Sequence, residues 1–269
     1  MYERLIFAMG MPRSGTSWLS QIIDSSPDVR FRLSPLFSYA FKGQLGETSP
    51  REEYDRVFRG AYQLDDEFMT QRRHRQAENY PTFAVKSPAP RYLFIKDTRY
   101  HNLIETLLRY YDDMKMVCIV RHPCGTISSW LNTPKEFPRT ADPAQEWRHA
   151  RCRKTAPEEF WGFEDWKTVT RLHMRMAQEY PERVRLLRYE SLVVNAVEET
   201  RALFSFLGLT YTAQTEAFVV ESQGKHVDDT HAVYKHPRVK DRWRDQLPRP
   251  IQEEILAEVR GTNLERFIE

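Results

Sequence analysis

The chain has little cysteine and no long hydrophobic run, and each shortage excludes a class of protein. It carries three cysteines, Cys118, Cys124 and Cys152, among 269 residues, with no Cys-x-x-Cys pair. Neither a disulfide framework nor a zinc cluster fits that number and spacing, so we expect a reducing, cytoplasmic location. The longest apolar stretches, Leu5–Met9 and Met116–Val120, are far shorter than the about 18–20 residues that cross a bilayer, so we expect no membrane span.

The chain also has little net charge. A formal charge of +2 argues against a dedicated nucleic-acid binder. Hydrophobic residues at 41% and charged residues at 29% are ordinary for a globular protein and exclude global disorder. Lysine is scarce, with 10 residues against 30 arginines. Because arginine forms bidentate bonds with phosphate and sulfate, the placement of the arginines decides which of them carry function.

Strand-like apolar runs alternate with helical patterns along the chain. The predicted strands are Leu5–Met9, Phe83–Val85, Met116–Val120 and Val184–Leu187. The helices that follow them are Thr16–Asp24, Arg99–Tyr111, Gly125–Leu131 and Ala196–Leu207, with Gly208 as C-cap of the last. Apolar strands that barely alternate are typical of sheets covered on both faces. We therefore expect an α/β fold, a single domain over 1–269 with a central parallel sheet flanked by helices.

Two long stretches interrupt this alternation, at residues 34–80 and 134–180. The first is rich in arginine, aromatic and acidic residues. The second contains Trp147, Trp161 and Trp166, and continues as a long helical pattern. Long insertions near strand ends are a natural place for a substrate cover, so we expect both stretches to form a helical cap.

The strongest local signal directly follows the first predicted strand. From Gly10 to Trp18 the chain reads Gly-Met-Pro-Arg-Ser-Gly-Thr-Ser-Trp, a glycine and serine turn that runs into a helix. Backbone N–H groups at a helix start, together with the helix dipole, attract a phosphate. Gly10 and Gly15 have the spacing of a nucleoside-triphosphate loop, but Thr16 stands in place of its lysine and the cation comes earlier, at Arg13.

A second motif follows the strand Met116–Val120. The strand delivers Arg121 to its end, Pro123 opens a helix, and Ser129 lies two turns into that helix. Ligands of open α/β sheets lie beyond the carboxyl ends of the strands, where Arg121 and Ser129 can converge on one phosphate. A Mg²⁺-triphosphate site needs a strand-end carboxylate, and this strand ends in arginine instead. The two motifs favour a nucleotide whose leaving charge is met by arginine and lysine alone.

Together the motifs resemble those of the sulfotransferases that use 3′-phosphoadenosine-5′-phosphosulfate (PAPS). Residues 12–18 resemble the family's loop for the 5′-phosphosulfate, and Arg121 with Ser129 resembles its 3′-phosphate site. Supporting segments match in order across nearly the whole chain, and they are Lys86-Ser87-Pro88, Arg188–Leu192 with Phe206–Leu209, and residues 239–244 around Trp243. The resemblance implies a P-loop NTPase-like sulfotransferase fold and metal-independent, in-line transfer of a sulfuryl group from PAPS to a hydroxyl or amine.

The resemblance also implies roles for individual residues. Those implied in nucleotide binding are Arg13, Ser14, Gly15, Thr16, Ser17, Trp18, Arg121, Ser129 and Tyr189. Arg13 stands where the family has a catalytic lysine or arginine, which neutralises the bridging oxygen as the S–O bond breaks. Lys86 follows a predicted strand, as a lysine does in many members, and would face the transferring sulfuryl group.

Neither place where the family keeps a general base is filled. Cytosolic members have a histidine two residues after the strand lysine, and Pro88 stands there. Members that act on protein tyrosine have a glutamate about twenty residues after the loop arginine, in a stretch that contains no carboxylate here. The base then comes from the cap, with Glu47, His74 and Glu78 as candidates, or the acceptor ionises easily.

Two other functions stay open from the sequence. One is a P-loop kinase that uses ATP and Mg²⁺, and the other is a non-catalytic nucleotide-binding scaffold that kept the fold and lost the base. We expect a small-molecule, glycan or lipid acceptor and no nucleic-acid partner, while the acceptor itself and the oligomeric state are not predicted by the sequence.

Overall fold

The structure is a computed structural model that describes residues 1–225, 233–234 and 240–269. Within these ranges its centre is a five-stranded sheet in the order β2-β3-β1-β4-β5, with every neighbouring pair parallel. The strands are β1 Arg4–Met9, β2 Val29–Leu33, β3 Tyr92–Asp97, β4 Lys115–Val120 and β5 Val184–Arg188.

Helices cover both faces and one end of this sheet. Their bounds are α1 Thr16–Asp24, α2 Arg51–Gln63, α3 Glu67–Thr70, α4 Arg72–Gln76, α5 Ile104–Tyr110, α6 Pro123–Leu131, α7 Pro143–Glu146, α8 Gly162–Glu179, α9 Tyr189–Val194, α10 Ala196–Leu207, α11 Ala213–Gly224, α12 Trp243–Gln246 and α13 Arg249–Val259. Short 3₁₀ turns lie at Pro35–Phe37, His101–Leu103 and Glu265–Phe267.

The sheet is buried between two apolar layers. On one face Ile6 and Phe94 pack with residues of α1, α9, α10 and α11, and on the other face Phe7 and Ile95 pack with α2, α5 and α8. A third cluster around Trp166 joins α6, α8, α12 and α13. Because each strand has partners on both faces, its sequence is apolar almost without alternation, and the predicted parallel α/β sheet is confirmed.

One predicted strand is wrong, and two strands were missed. Residues 83–85 form a loop in which Val85 is 58% exposed, and the backbone N–H and C=O of Val85 bond to the side chain of Gln214. This loop lies between Pro81 and Pro90, and proline has no N–H to give to a sheet. The missed strands are β2, which alternates apolar residues with arginines, and β3, which begins directly after the proline-rich segment.

The other predicted elements agree with the structure to within a few residues. α1 and α10 have the predicted bounds, and β1, β4 and β5 are each one residue longer than predicted. Gly208 ends α10 in the left-handed conformation at φ 70°, as expected for a C-cap. The predicted helix Arg99–Tyr111 is shorter, because it begins with the 3₁₀ turn at His101–Leu103 before α5.

The topology places a crevice at the carboxyl edge beside β1. From β1 the chain builds β2 and β3 on one side, and it then crosses to β4 and β5 on the other. The connections that leave β1 and β4 diverge at this point, where open α/β sheets bind ligands. The two motifs of the sequence follow β1 and β4, so both lie at this crevice.

No helix within the described ranges has both the length and the hydropathy to cross a bilayer. The three cysteines are all free, and Cys118 and Cys124 are buried.

Candidate active site

The loop between β1 and α1, residues 10–15, contains Arg13 and is called the Arg13 loop. Two glycines hold its shape. A Cβ on Gly10 would come within 2.8 Å of the Ile119 side chain, and one on Gly15, at φ 90°, would lie 2.4 Å from the Tyr189 ring. Arg13 also has a positive φ of 70°, which is uncommon for a residue with a side chain and is found at functional sites. No side chain caps the first turn of α1, so its N–H groups remain available to an anion.

The two predicted phosphate motifs meet at Arg13. Its Nε donates to Ser129 Oγ at 3.2 Å, and Arg121 Nη1 donates to the carbonyl oxygen of Arg13 at 3.1 Å. Arg121 is 7% exposed, and its guanidinium lies 4.8 Å from the centre of the Tyr189 ring. Four of the residues predicted for nucleotide binding are therefore in one cluster.

Arg121 is tightly packed, but its guanidinium has an unused hydrogen-bond donor. Gly125 leaves room for it, since a Cβ there would lie 2.9 Å from Arg121 Nε, and Trp166 Nε1 donates to the Arg121 carbonyl oxygen at 3.0 Å. Arg121 Nε is buried and has no hydrogen-bond partner within the described part of the chain. A buried guanidinium with an unused donor is suited to an anionic ligand that completes its bonds.

The segments around Tyr189 and Trp243 support the second motif. Glu190 Oε1 accepts from the N–H of His122, and the His122 ring stacks on Trp243 at 4.4 Å. Burial, together with Arg244 and Arg121, lowers the pKa of His122 to about 3, so its neutral Nδ1 accepts from the Cys124 N–H. Val239, which begins the late tryptophan segment of the sequence analysis, lies outside the described residues.

The remaining loop residues have different surroundings. Ser14 and Thr16 are buried. Thr16 and Ser17 lie in the wall of a cavity of about 590 Å³ beside the loop, the main cavity. Trp18 Nε1 donates to Ser222 Oγ of α11 at 2.8 Å, so this indole is anchored between α1 and α11.

Lys86 lies at the wrong end of α1 for the catalytic role predicted from the sequence. Its Nζ donates to Asp24 Oδ1 at 2.7 Å, to the carbonyl oxygens of Val29 and Ser26 at 3.0 and 3.1 Å, and to that of Asp24. Asp24 is the last residue of α1, whereas the phosphate loop precedes the first. Nine helical residues separate these ends by about 12–14 Å, so Lys86 stabilises the C-terminal end of α1 and does not reach the Arg13 loop.

Lys96, which the sequence analysis missed, occupies the crevice instead. It lies at the carboxyl end of β3, in register with Ala8 of β1 and Leu33 of β2, and it shares the main cavity with Arg13. Within the part of the chain that the structure describes, no hydrogen bond or ion pair engages its ammonium. Burial lowers the pKa of Lys96 to about 8. The run Tyr-Leu-Phe-Ile-Lys-Asp was the available signal, a buried strand that ends in charged residues.

Asp97, the last residue of β3, faces the opposite side of the sheet. It lies in a small apolar pocket with Phe7, Tyr54 and Leu103, and its Oδ1 accepts from the Arg99 N–H at 2.8 Å. Burial raises the pKa of Asp97 to about 6. This strand-end carboxylate therefore cannot serve a metal beside the phosphate loop, and no group of three potential metal ligands is present among the described residues.

The main cavity has a volume of about 590 Å³, within the usual range for small-molecule sites. Its walls come from the Arg13 loop, from the end of β3 and from both predicted cap stretches. The cap residues in these walls are Ser34, Phe37, Glu67, Phe68, Gln71, Arg73, His74, Tyr80, Glu136, Arg153 and Trp161.

Glu136 lies in the wall of this cavity, next to Arg13. Its Oε2 is 3.6 Å from Arg13 Nη1, and the side chain is 20% exposed. Among the residues that the structure describes, the same oxygen has no hydrogen-bond partner. Burial lowers the pKa of Arg13, and the neighbouring carboxylate acts in the opposite direction. Glu136 was not predicted from the sequence, because it follows α6 in a segment without a recognisable pattern.

Of the three base candidates from the sequence, the structure places one at the cavity. Glu47 is exposed and accepts from Asn102 Nδ2 at 2.8 Å, and Glu78 is exposed on the loop that follows α4. Neither residue lines the cavity. His74 does, with its ring stacked on Tyr80 at 5.0 Å.

Two arginines share one carboxylate at the wall formed by residues 153–161. Arg99 Nη1 lies 2.8 Å and Arg153 Nη1 lies 3.7 Å from Glu159 Oε1. Arg99 also lies over Phe37 at 3.8 Å, and the buried Nε of Arg153 bonds to none of the residues in the described ranges. This wall carries an excess of positive charge next to aromatic surfaces.

The sequence of the chain matches one known family. The model of the Sulfotransferase family matches residues 6–213. Human carbohydrate sulfotransferase 5 is 33% identical over 96 residues, an alignment that covers 30% of this chain and 23% of that protein, less than two thirds of its length.

Solved structures share the fold at low sequence identity. Mouse sulfotransferase SULT7A1, complexed with PAP, is 18% identical and has a TM-score of 0.55, over 99% of this chain and 88% of that one. Retinol dehydratase, in a complex with retinol and PAP, is 12% identical with a TM-score of 0.58, over 98% and 83%. A sulfotransferase from Alicyclobacillus acidocaldarius is 16% identical with a TM-score of 0.53, over 100% and 96%. The family match extends over more than half of the chain and includes the loop after β1 and the loop after β4, so the chain belongs to the sulfotransferase family.

Proposed function

We propose that the chain transfers the sulfuryl group of PAPS to a hydroxyl or amine of an acceptor that enters the main cavity. The observation that carries this proposal is the meeting of the two phosphate motifs at Arg13, beside a cavity that also holds Lys96. Membership of the sulfotransferase family supports it, and two solved structures of the same fold are complexes with PAP, the desulfated nucleotide.

The residues present fit this nucleotide. The uncapped first turn of α1 offers N–H groups to the 5′-phosphate. Arg121 and Ser129, which both bond to Arg13, offer donors to the 3′-phosphate. Tyr189 and Trp18 flank the loop and are proposed to lie near the adenine. The phosphosulfate is the sulfuryl donor, and the chain's own residues bind it and orient it.

Arg13 and Lys96 are proposed as the catalytic cations. Arg13 stabilises the charge that develops on the bridging oxygen as the S–O bond breaks, and Lys96 stabilises the sulfuryl oxygens from the floor of the cavity. Positively charged groups fixed in a buried site stabilise a transition state strongly, because they need no reorganisation during the reaction. Lys96 thus takes the role that the sequence analysis gave to Lys86.

The acceptor is proposed to bind between the two cap stretches, 34–80 and 134–180. The cap residues in the cavity wall include both aromatic rings and arginines. Arg153 Nε has a hydrogen-bond donor that no described residue uses. These surfaces suit a small molecule, a glycan or a lipid head group that combines an apolar face with a polar or anionic group.

The kinase alternative is not favoured. A Mg²⁺-dependent triphosphate site needs a carboxylate beside the phosphate loop, and Asp97 faces the apolar side of the sheet. A non-catalytic scaffold would bind the nucleotide without turning over PAPS, so turnover with PAPS separates it from the proposed enzyme.

Calorimetric titration tests the nucleotide. Wild type should bind PAP far more tightly than AMP, and without Mg²⁺. Arg121→Ala should weaken PAP binding by about 1.5–3 kcal/mol, the value of hydrogen bonds to a charged group, with little effect on AMP. Tight binding of ATP only in the presence of Mg²⁺ would contradict the proposal, and an equal loss for AMP and PAP would remove Arg121 from the 3′-phosphate site.

A further inference from the structure

We propose that Glu136 is the general base that removes the proton of the acceptor, an inference that rests on the proposed sulfuryl transfer. It fills the role for which neither familial position has a suitable residue. Glu136 is identified by three features together: its place in the cavity wall, its distance from Arg13, and a buried carboxylate oxygen that has no hydrogen-bond partner among the described residues.

The unpartnered oxygen calls for a donor from a ligand. A buried acceptor atom without a hydrogen bond is destabilising, so nearly all such atoms in native proteins have a donor from the protein, from water or from a bound ligand. Oε2 lies 3.6 Å from Arg13 Nη1, which is an ion-pair distance and not a hydrogen bond. A hydroxyl or amine of the acceptor supplies the donor that this oxygen lacks.

Glu136 follows α6, the helix that carries Ser129, and is linked to its end by hydrogen bonds. Thr133 Oγ1 donates to the Ser129 carbonyl oxygen at 2.6 Å, and the Glu136 N–H donates to the Thr133 carbonyl oxygen at 2.9 Å. Ser129 in turn accepts from Arg13 Nε. The Glu136 backbone therefore keeps a defined position relative to the Arg13 loop, and the ion pair with Arg13 holds the carboxylate beside that loop, as a catalytic base requires.

The other carboxylates near the cavity are engaged or turned away. Glu159 accepts from the N–H and Oγ1 of Thr155 and pairs with Arg99, and Glu67 pairs with Arg73 at 2.8 Å. Asp97 faces the apolar pocket. His74 lines the cavity as well and is the rival that the experiment must separate.

The proton transfer balances with the sulfuryl transfer. The acceptor oxygen or nitrogen forms a bond to sulfur while the S–O bond to the 5′-phosphate breaks, and the electron pair of that bond stays on the phosphate oxygen next to Arg13. The acceptor proton moves to a Glu136 carboxylate oxygen and is then released to water. No oxidant, reductant or metal takes part.

The experiment compares Glu136→Gln with wild type, with His74→Gln, and with Glu47→Gln as a matched control outside the cavity. PAP affinity is measured by calorimetry. Transfer from PAPS is measured to 4-nitrophenol, to the less acidic 4-methylphenol and to water. Glu136→Gln should lower kcat for 4-methylphenol by about 10²–10⁴-fold, the usual contribution of a general base. PAP affinity should stay equal or rise, because Arg13 loses its competing carboxylate.

The acceptor series separates a base from a residue that only positions Arg13. The loss in Glu136→Gln should be at least tenfold smaller for 4-nitrophenol, whose hydroxyl ionises without help, whereas a positioning role would lower both rates equally. Equal losses, a loss under threefold, or an acidity-dependent loss in His74→Gln instead would each overturn the inference and leave the proposed function intact. If wild type binds PAP but transfers to neither phenol nor to water, the proposed function fails and this inference with it.

Discussion

Lys86 and Lys96 both lie near α1, but they lie at opposite ends of it. Lys86 donates to carbonyl oxygens and to Asp24 at the C-terminal end, while Lys96 lies in the cavity beside the phosphate loop. At a helix C-terminus a cation satisfies carbonyl groups that have no helical partner. A cation beside the reacting group acts on the transition state.

These positions predict opposite effects for the same substitution. Lys96→Ala should lower kcat about 10²-fold or more, by analogy with the removal of one oxyanion donor, and should leave the unfolding free energy nearly unchanged. Lys86→Ala should keep kcat close to wild type and lower the unfolding free energy by about 1–3 kcal/mol, because buried acceptors lose a charged donor. Steady-state kinetics and urea unfolding of both variants provide the check. A large fall in kcat for Lys86→Ala at unchanged stability would restore the role that the sequence suggested.

The lowered pKa of Lys96 predicts a pH dependence. Burial lowers this pKa to about 8, so the ammonium is charged below that pH and becomes neutral as the pH rises through it. Because the charged form is the one proposed to stabilise the phosphosulfate, kcat/KM for PAPS should fall above about pH 8. In Lys96→Arg, arginine stays charged, so this alkaline limb should disappear even if the rate is lower overall. An unchanged limb in that variant would assign the titration to another group.

At the scale of the loop and α1, Gly15 tests how tightly the phosphate site is built. Gly15→Ala adds a Cβ at φ 90° and places it 2.4 Å from the Tyr189 ring. Gly261→Ala is a matched control, because Gly261 has φ 70° and no neighbour within 4 Å of its added Cβ. Each variant should lose about 1–2 kcal/mol from the left-handed backbone, and Gly15→Ala alone should also lose PAP affinity. Calorimetry and thermal unfolding give both quantities, and PAP binding that survives in Gly15→Ala would show that the loop can rearrange.

The contact between the turn His101–Leu103 and α8 contains two buried histidines. His101 Nδ1 and His173 Nε2 lie 3.3 Å apart, and burial lowers the pKa of both imidazoles, that of His173 to about 3. His173 also lowers the pKa of His101. The unfolded chain therefore binds protons more readily than the folded one once the pH falls below the ordinary histidine pKa of about 6.5.

The stability contributed by these two histidines should consequently be complete above about pH 6.5 and decrease as the pH falls from 6.5 to about 3. Each histidine contributes a slope of up to about 1.4 kcal/mol per pH unit in this window. Urea unfolding at several pH values measures it. His173→Gln should reduce the slope, whereas His149→Gln, at an exposed histidine, should not. If both variants keep the wild-type slope, the acid sensitivity comes from other groups.

At the scale of the whole molecule, the sequence predicted the elements whose signal is local. The strand, turn and helix from β1 to α1 were predicted because glycine spacing and an apolar run identify them without tertiary information. The assignment of a strand to Phe83–Val85 was wrong, because three apolar residues next to a lysine resemble a strand end. The order of strands in the sheet was needed to show that this proline-flanked segment is not part of it. Lys96 was missed for the same reason, since its importance depends on its register with β1.

The base was beyond sequence reasoning for a different physical cause. Glu136 becomes notable only when α6 turns its end towards the Arg13 loop, a contact between residues more than one hundred positions apart. Motif spacing describes neighbours along the chain or on one helix and does not describe such contacts. The cation–carboxylate pair is thus a product of the topology, which places the connections after β1 and β4 side by side.

The bond from Arg121 to the carbonyl oxygen of Arg13 has a consequence for inhibitor chemistry. It holds the sites proposed for two anionic groups at a fixed spacing. Once one anion of a molecule is bound, its second anion reaches the other site at an effective concentration of about millimolar, the value for a short linker. Adenosine 3′,5′-bisphosphate should therefore bind with a dissociation constant far below that of either 3′-AMP or 5′-AMP. Calorimetry with the three nucleotides measures this advantage, and its absence would mean that the two sites act independently. A scaffold other than adenosine with the same separation of anions would share the advantage, which makes the spacing between Arg13 and Arg121 a more useful design target than the base itself.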